Sequence, residues 1–273
     1  MDYRPLLKLA VNAALLAGEE ILSIYNTDFD IETKPDNTPV TEADKASGQC
    51  ISTELRKSGI PIISEEEEAA EYSERCNWKQ VWIVDPLDGT KEYIKRNGEF
   101  AVNIALVEDK RPVIGVIYAP VSRLIYFAAQ GLGSFKIEQH DLITELTKRN
   151  ITENLFEFGK KLPLRRPPKS YTVVASRSHL SREVNARIRQ LEDIYGQVDI
   201  ISVGSSIKQC WVAEGKAHEY PRFGVTMVWD TAAGQCILEQ SGNQLVDYVT
   251  GKPMVYNKEN LQNNFFIAKT VTI

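Results

Sequence analysis

Apolar residues recur at helical spacing in the first segment of the chain, with Leu7, Val11, Ala14, Gly18, Ile21 and Tyr25 on one face. This spacing predicts an amphipathic helix that ends before Asn26. The stretch "TKPDNTPV" is rich in turn formers and predicts a loop. A second helix is expected near Thr41, where "TEAD" has the form of a capping box. Ala43, Ser47, Ile51 and Leu55 give its inner face, and Gly59 closes it. The period then shortens to two. "IPIIS" and "VWIVD" are short, apolar and β-branched, while "FAVNIALVED", "RPVIGVIYAP" and "RLIYFAAQ" predict an antiparallel meander. A further short strand, "SFKI", follows Gly131 and Gly133.

From about Glu138 to Ser170 the pattern weakens. "KKLPLRRPPKS" holds three prolines and five basic residues and reads as a solvated connection. After it, strand and helix alternate. "YTVVAS" leads to a helix through Val184, Ile188, Leu191 and Tyr195, and "VDIISV" to one through Ile207, Cys210 and Trp211. A strand near His218 to Arg222 precedes a helix starting around Asp230. The expected organisation is an α+β half over residues 1–165 and an α/β half over 166–273.

Composition narrows the function. The 273 residues, 43% hydrophobic and 25% charged, suit one large domain or two small ones with ample core. A net charge of −5 provides no general basic field, so nucleic acid is not an expected partner. A polyanionic ligand must instead meet a local cluster of positive charge. The uncharged stretch Leu9 to Gly18 is too short to span a bilayer, and no cleavage-site pattern follows Glu19 and Glu20. The expected location is the cytoplasm, with peripheral attachment at the inner face of the membrane as the alternative. Cys50, Cys76, Cys210 and Cys236 have no CxxC spacing, and the only histidines are His140, His179 and His218, so zinc is not indicated.

Candidate chemistry concentrates in "WIVDPLDGTKEYIKRNGEF", Trp82 to Phe100. Pro86 suits the second position of a tight turn, which would bring Asp85 and Asp88 within roughly 7 Å. Two carboxylates about 4 Å apart repel by roughly 4 kcal/mol at an effective dielectric of 20, so a cation should accompany them. Taken alone, each acid has an ordinary alternative. The pair could cap a solvated turn, Glu65 to Glu68 could be a solvated charge run, Asp230 could be a helix N-cap, and Asp44 could belong to a first helical turn. Together, Glu65, Asp85, Asp88 and Asp230 supply four negative charges and only oxygen donors, which suits two Mg²⁺ ions. A two-metal site stabilises both the attacking and the leaving oxygen in phosphoryl transfer. Thr90 and the amides after Gly89 could bind a phosphoryl oxygen. Lys91, Lys95 and Arg96 add positive charge beside them.

These residues resemble the lithium-sensitive, Mg²⁺-dependent inositol monophosphatase superfamily. "WIVDPLDGT" and "WDTAAG" match its two signatures, and the resemblance runs from "PVTEAD" through "GKPM". Within it, "DGTKEYIKRNGEFAVNIAL", "SRSH", "SVGSSIK" and "YPRFG" resemble the CysQ-type 3′(2′),5′-bisphosphate nucleotidases, enzymes of sulfur assimilation. The resemblance implies a layered αβαβα sandwich. It makes Glu65, Asp85, Asp88, Asp230 and the carbonyl of Leu87 the metal ligands, with Glu66 as the alternative to Glu65 in the glutamate run. Two Mg²⁺ ions are implied, with a third arriving with substrate. Asp44 and Thr90 match the pair that orients and deprotonates the attacking water, beside Glu65. Ser205, Lys208 and Arg222 match contacts to the phosphate that is not cleaved, and His179 the residue packed near the adenine. The implied reaction converts adenosine 3′,5′-bisphosphate to AMP and phosphate, with 3′-phosphoadenosine 5′-phosphosulfate as a possible second substrate. The rivals are an inositol monophosphatase or sugar bisphosphatase and, in another class, a non-catalytic nucleotide or phosphate sensor.

Overall fold

The structure, a computed structural model, describes residues 1–28, 31–33, 39–138, 155–165, 168–175 and 181–271. Helix α1 (Arg4–Tyr25) buries the stripe its spacing predicts. A small antiparallel ribbon of β1 (Ile31–Thr33) and β2 (Pro39–Thr41) leads into α2 (Glu42–Leu55). At the start of α2, the N–H and hydroxyl of Thr41 both donate to Asp44 Oδ2, at 2.7 and 2.6 Å. The helix closes through a 3₁₀ turn over Arg56–Ser58 onto Gly59, whose φ of +70° is one that glycine adopts without strain.

Seven strands then build one sheet in chain order: β3 (Ile62–Ser64), β4 (Gln80–Asp88), β5 (Ala101–Glu108), β6 (Arg111–Ala119), β7 (Leu124–Ala129), β8 (Gly133–Ile137) and β9 (Lys160–Lys161). The β3–β4 pair is parallel and the remainder antiparallel. Short helices α3 (Tyr72–Arg75), α4 (Thr90–Ile94) and α5 (Leu155–Phe158) interrupt the series. A second sheet has the order β11-β10-β12-β14-β13, from β10 (Tyr171–Ala175), β11 (Val198–Ser202), β12 (Glu219–Arg222), β13 (Gln244–Asp247) and β14 (Phe266–Lys269). Its helices are α6 (Arg182–Tyr195), α7 (Ile207–Glu214) and α8 (Ala232–Gln240).

Strand alternation sorts the core into layers. Trp82, Val84, Val102, Ile104, Leu106, Val116 and Tyr118 pack with α1 and α2 on one face of the large sheet. Val81, Ile83, Ala101, Ala105, Val107 and Ile117 face the other way, onto α7, α8 and the second sheet. Helix α6 covers the far side of that sheet through Ile188 and Leu191. The result is the αβαβα sandwich. The close fit of the middle layer rests on Gly115, where a Cβ would lie 2.3 Å from the carbonyl oxygen of Ala233 and 2.9 Å from Cys236 Cβ. Gly115→Ala is therefore expected to lower the unfolding free energy by about 2 kcal/mol, read from urea melts of both proteins. An unchanged midpoint would show that α8 can withdraw freely.

One expectation holds only in part: Lys160, Lys161, Pro163 and Arg165 are exposed, as a solvated connection requires, but the segment is not free of the sheet. The described part of the basic, proline-containing stretch is built into the sheet. Lys160 and Lys161 pair with β8, and Leu155 and Leu162 are buried. Two hydrophobic anchors and an open strand edge outweigh the local charge.

Candidate active site

The two aspartates of "DPLDG" stand on a continuous strand, not on the tight turn expected for Pro86. Strand β4 runs through Asp88, pairing Asp85 with Asn103 and Asp88 with Ala101, so that it carries one residue more than β5 between these points. Proline has no N–H to give the ladder, and a bulge accommodates it. The bulge also solves a parity problem, because residues three apart on a regular strand face opposite ways. Asp85 continues the row of Val81 and Ile83 towards the middle layer, Leu87 drops into the outer core, and Asp88 returns to Asp85's side. Ser47 fixes the bulge by donating to the carbonyl of Pro86 at 2.7 Å.

Asp230 reaches the same place from the other half of the chain. It ends a 3₁₀ turn, Val228–Asp230, just before α8, and its Oδ2 accepts the N–H of Met227 at 2.6 Å. Carboxylate oxygens of Asp85, Asp88 and Asp230 lie within 4.8 Å of one another. Burial, followed by repulsion from Glu65, Asp88 and Asp230, pushes the Asp85 carboxyl well above its usual range. Burial, and next the charge of Asp88, pushes Asp230 up to about 8. Three converging, partly desolvated carboxylates with only oxygen donors fit a hard divalent cation such as Mg²⁺. The run of glutamates divides its duties. Glu65, whose N–H extends the β3–β4 pairing onto the Val84 carbonyl at 3.1 Å, presents its charge to Asp85 and Asp230. The charge of Glu66 acts on Asp44. Glu67 turns back to α2, accepting from Ser52 at 2.6 Å.

Asp44 and Thr90 are in contact. Thr90 Oγ1 donates to Asp44 Oδ1 at 3.2 Å and lies 3.4 Å from the Leu87 carbonyl. Burial raises the Asp44 carboxyl, opposed by its hydrogen bonds from Thr41 and Thr90. Gly89 starts α4 at φ +96°, with the carbonyl of Glu99 3.3 Å from where a Cβ would stand.

A cleft of about 320 Å³ opens beside the carboxylates, lined by Asp88, Gly89, Lys91, Lys95, Ser205, Lys208, Arg222 and Asp230 among others. Lys208 is only 6% exposed, and its ammonium lies 3.4 Å from the Val203 carbonyl and 5.5 Å from the Tyr220 ring. Burial lowers its pKa to about 8, with the charge of Asp88 opposing. Arg222 Nη2 donates to the Val225 carbonyl at 3.3 Å, while its Nε is buried without a hydrogen bond among the described residues. Ser205 sits at the turn before α7 with φ +50°. Lys91 and Lys95 line the cleft, but Arg96 does not. It caps the end of α1, donating to the carbonyls of Tyr25 and, at 2.6 Å, Thr27. His179 lies outside the described residues, as does most of the stretch from His140 to Pro168.

Several lining residues escaped the sequence. Gln209, Thr226 and Phe266 come from separate segments of the second half and lie outside the quoted motifs, while Tyr220 opens "YPRFG" but takes no role there. For Tyr220 the signal is there, since strand alternation across "YPRFG" puts it on one face with Arg222.

The chain matches the inositol monophosphatase family over residues 2–269. It is 41% identical to the 3′(2′),5′-bisphosphate nucleotidase CysQ of Escherichia coli K12 over 255 residues, 92% of this chain and 94% of that one. The Haemophilus influenzae CysQ is 35% identical over 266 residues, covering 96% and 91%. Among solved structures, CysQ from Bacteroides thetaiotaomicron superposes with a TM-score of 0.89 at 44% identity, covering 98% of both chains.

Proposed function

The chain belongs to the inositol monophosphatase family, and from that premise we propose that it hydrolyses the 3′-phosphate of adenosine 3′,5′-bisphosphate to AMP and phosphate. The observation that carries the choice of substrate is a second anion grip in the carboxylate cleft. Ser205, buried Lys208 and Arg222, whose Nε has no partner among the described residues, make it up. An enzyme for a single phosphate ester has no use for it. The relatives named as bisphosphate nucleotidases point the same way.

Glu65, Asp85, Asp88, Asp230 and the carbonyl of Leu87 would hold two Mg²⁺ ions, and a third would come with the substrate. Bound there, the ions would supply a lowered water pKa and a counter-charge for the departing ribose oxygen. The chain's own residues do the rest. Thr90 holds the attacking water against Asp44, and Asp44, with its raised pKa, takes the proton. Gly89 and Thr90 receive the phosphate being cut. Arg222 grips the other phosphate with its guanidinium fork and Lys208 as a point charge, so that binding away from the reacting centre orients the reacting ester. His179 would pack near the adenine. Among the described residues, no helix is long and apolar enough to cross a membrane, and a cytoplasmic location fits a nucleotide substrate.

The test is phosphate release with Mg²⁺ across adenosine 3′,5′-bisphosphate, its 5′-phosphosulfate relative, inositol 1-phosphate and fructose 1,6-bisphosphate. The bisphosphate nucleotide is expected to exceed inositol 1-phosphate in kcat/KM by about 100-fold or more, the worth of one buried charged grip. Equal turnover of the two would remove the substrate assignment.

A further inference from the structure

Glu99 lies in the "KRNGEF" stretch, and the catalytic scheme leaves it unused. Its carboxylate crosses to the second half of the chain, where Oε2 accepts the N–H of Gly204 at 2.9 Å. The approach is close. A Cβ on Gly204 would lie 2.5 Å from the Glu99 carbonyl, 2.8 Å from Glu99 Cβ and 2.9 Å from Glu92 Cγ. Gly204 opens the turn that presents Ser205 to the cleft. The other end of that turn is pinned separately, since the Ser206 N–H donates to Asp88 Oδ2 and its hydroxyl to Asn103 Oδ1 at 2.6 Å. Ser205 hangs between the two pins in the left-handed region, φ +50°, a conformation costly for serine unless its neighbours hold it.

We propose that Glu99 is a positioning residue for specificity, setting the Gly204–Ser206 turn so that Ser205 meets the phosphate that is not cleaved. This rests on the bisphosphate reading of the cleft. Because Ser206 stays tied to Asp88 and Asn103 when Glu99 is lost, the reacting centre keeps its geometry while the remote grip loosens. The loss should therefore fall on KM for a substrate with two phosphates, and not on kcat.

Steady-state kinetics with saturating Mg²⁺ near neutral pH, on adenosine 3′,5′-bisphosphate and on adenosine 3′-monophosphate, separate these effects. Glu99→Ala is expected to raise KM for the bisphosphate about tenfold, the worth of one charge-assisted hydrogen bond. KM for the monophosphate, which has nothing for Ser205 to hold, should move less than about twofold, and kcat on both less than about threefold. Glu99→Gln keeps an oxygen acceptor for the Gly204 N–H without the charge and should recover about half of the loss in bisphosphate KM on a logarithmic scale. Glu99→Asp, one carbon short, should behave like the alanine variant. A parallel rise in both KM values, an unchanged bisphosphate KM, or no rescue by glutamine would overturn the proposal. If the unaltered chain itself shows no lower KM for the bisphosphate than for the monophosphate, the bisphosphate reading fails first.

Discussion

Asp230→Asn is expected to lower Mg²⁺-dependent phosphate release by about 10³-fold or more, while making the metal-free protein more stable. The first effect follows from the triad. Asp230 is the carboxylate that the second half contributes, and several kcal/mol of charge stabilisation at a metal site corresponds to about 10³ in rate. The second effect follows from repulsion. Without a cation the Asp230 carboxyl is pushed up to about 8 from 3.8, by burial and then by Asp88. Between those two values the folded chain holds a proton that the unfolded chain has released, so stability falls as pH rises through that window. Asparagine keeps the oxygen that accepts the Met227 N–H and removes the charge. Urea melts of chelator-treated protein at about pH 6 and about pH 8 should show the unaltered chain losing a few kcal/mol and the variant losing much less. Full activity in the variant, or a metal-free variant less stable than its parent at the higher pH, would refute the carboxylate scheme.

Lys208→Met should cost about 100-fold in kcat/KM on the bisphosphate nucleotide and far less on a substrate with one phosphate. The unaltered lysine also predicts a pH dependence. Its pKa of about 8 is set by burial against the opposing charge of Asp88, and the ammonium is the form that binds phosphate. KM for the bisphosphate should thus rise as pH increases through that region in the unaltered enzyme and lose this inflection in the methionine variant. The methionine side chain would fill the same buried volume beside Tyr220, so folding should survive. An equal loss on one-phosphate and two-phosphate substrates would place Lys208 at the reacting centre and contradict the division of the cleft.

Much of this arrangement is legible in the sequence. The periodicity of α1, the capping box of α2 and the meander of β5 to β7 are local patterns, and local patterns survive folding when the packing agrees with them. Asp44, Thr90, Asp85, Asp88 and Asp230 can be named because their motifs are contiguous. What cannot be read is set by long-range pairing. The bulge at Pro86 depends on the register of β5, which sequence does not display, and a turn is the local alternative. Arg96 looks like cleft charge from its neighbours Lys91 and Lys95, but the open carbonyls at the end of α1 claim it. Lys160 and Lys161 look like part of a loop because an exposed edge strand can be as polar as one. That Glu65 acts on Asp85 and Asp230 while Glu66 acts on Asp44 depends on where β3 ends beside β4. Glu99 carries no local signal, since its partner lies 105 residues away in the chain.

The central claim is that one cleft holds a metal-bearing carboxylate cluster and a separate grip for the phosphate that stays. A crystal structure of the chain with AMP, phosphate and Mn²⁺ as an anomalous stand-in for Mg²⁺ tests it most directly. The account predicts anomalous density among Glu65, Asp85, Asp88 and Asp230, and the 5′-phosphate of AMP against Ser205, Lys208 and Arg222. Manganese bound away from that cluster, or AMP held by Lys91 and Lys95 with the second grip empty, would contradict it.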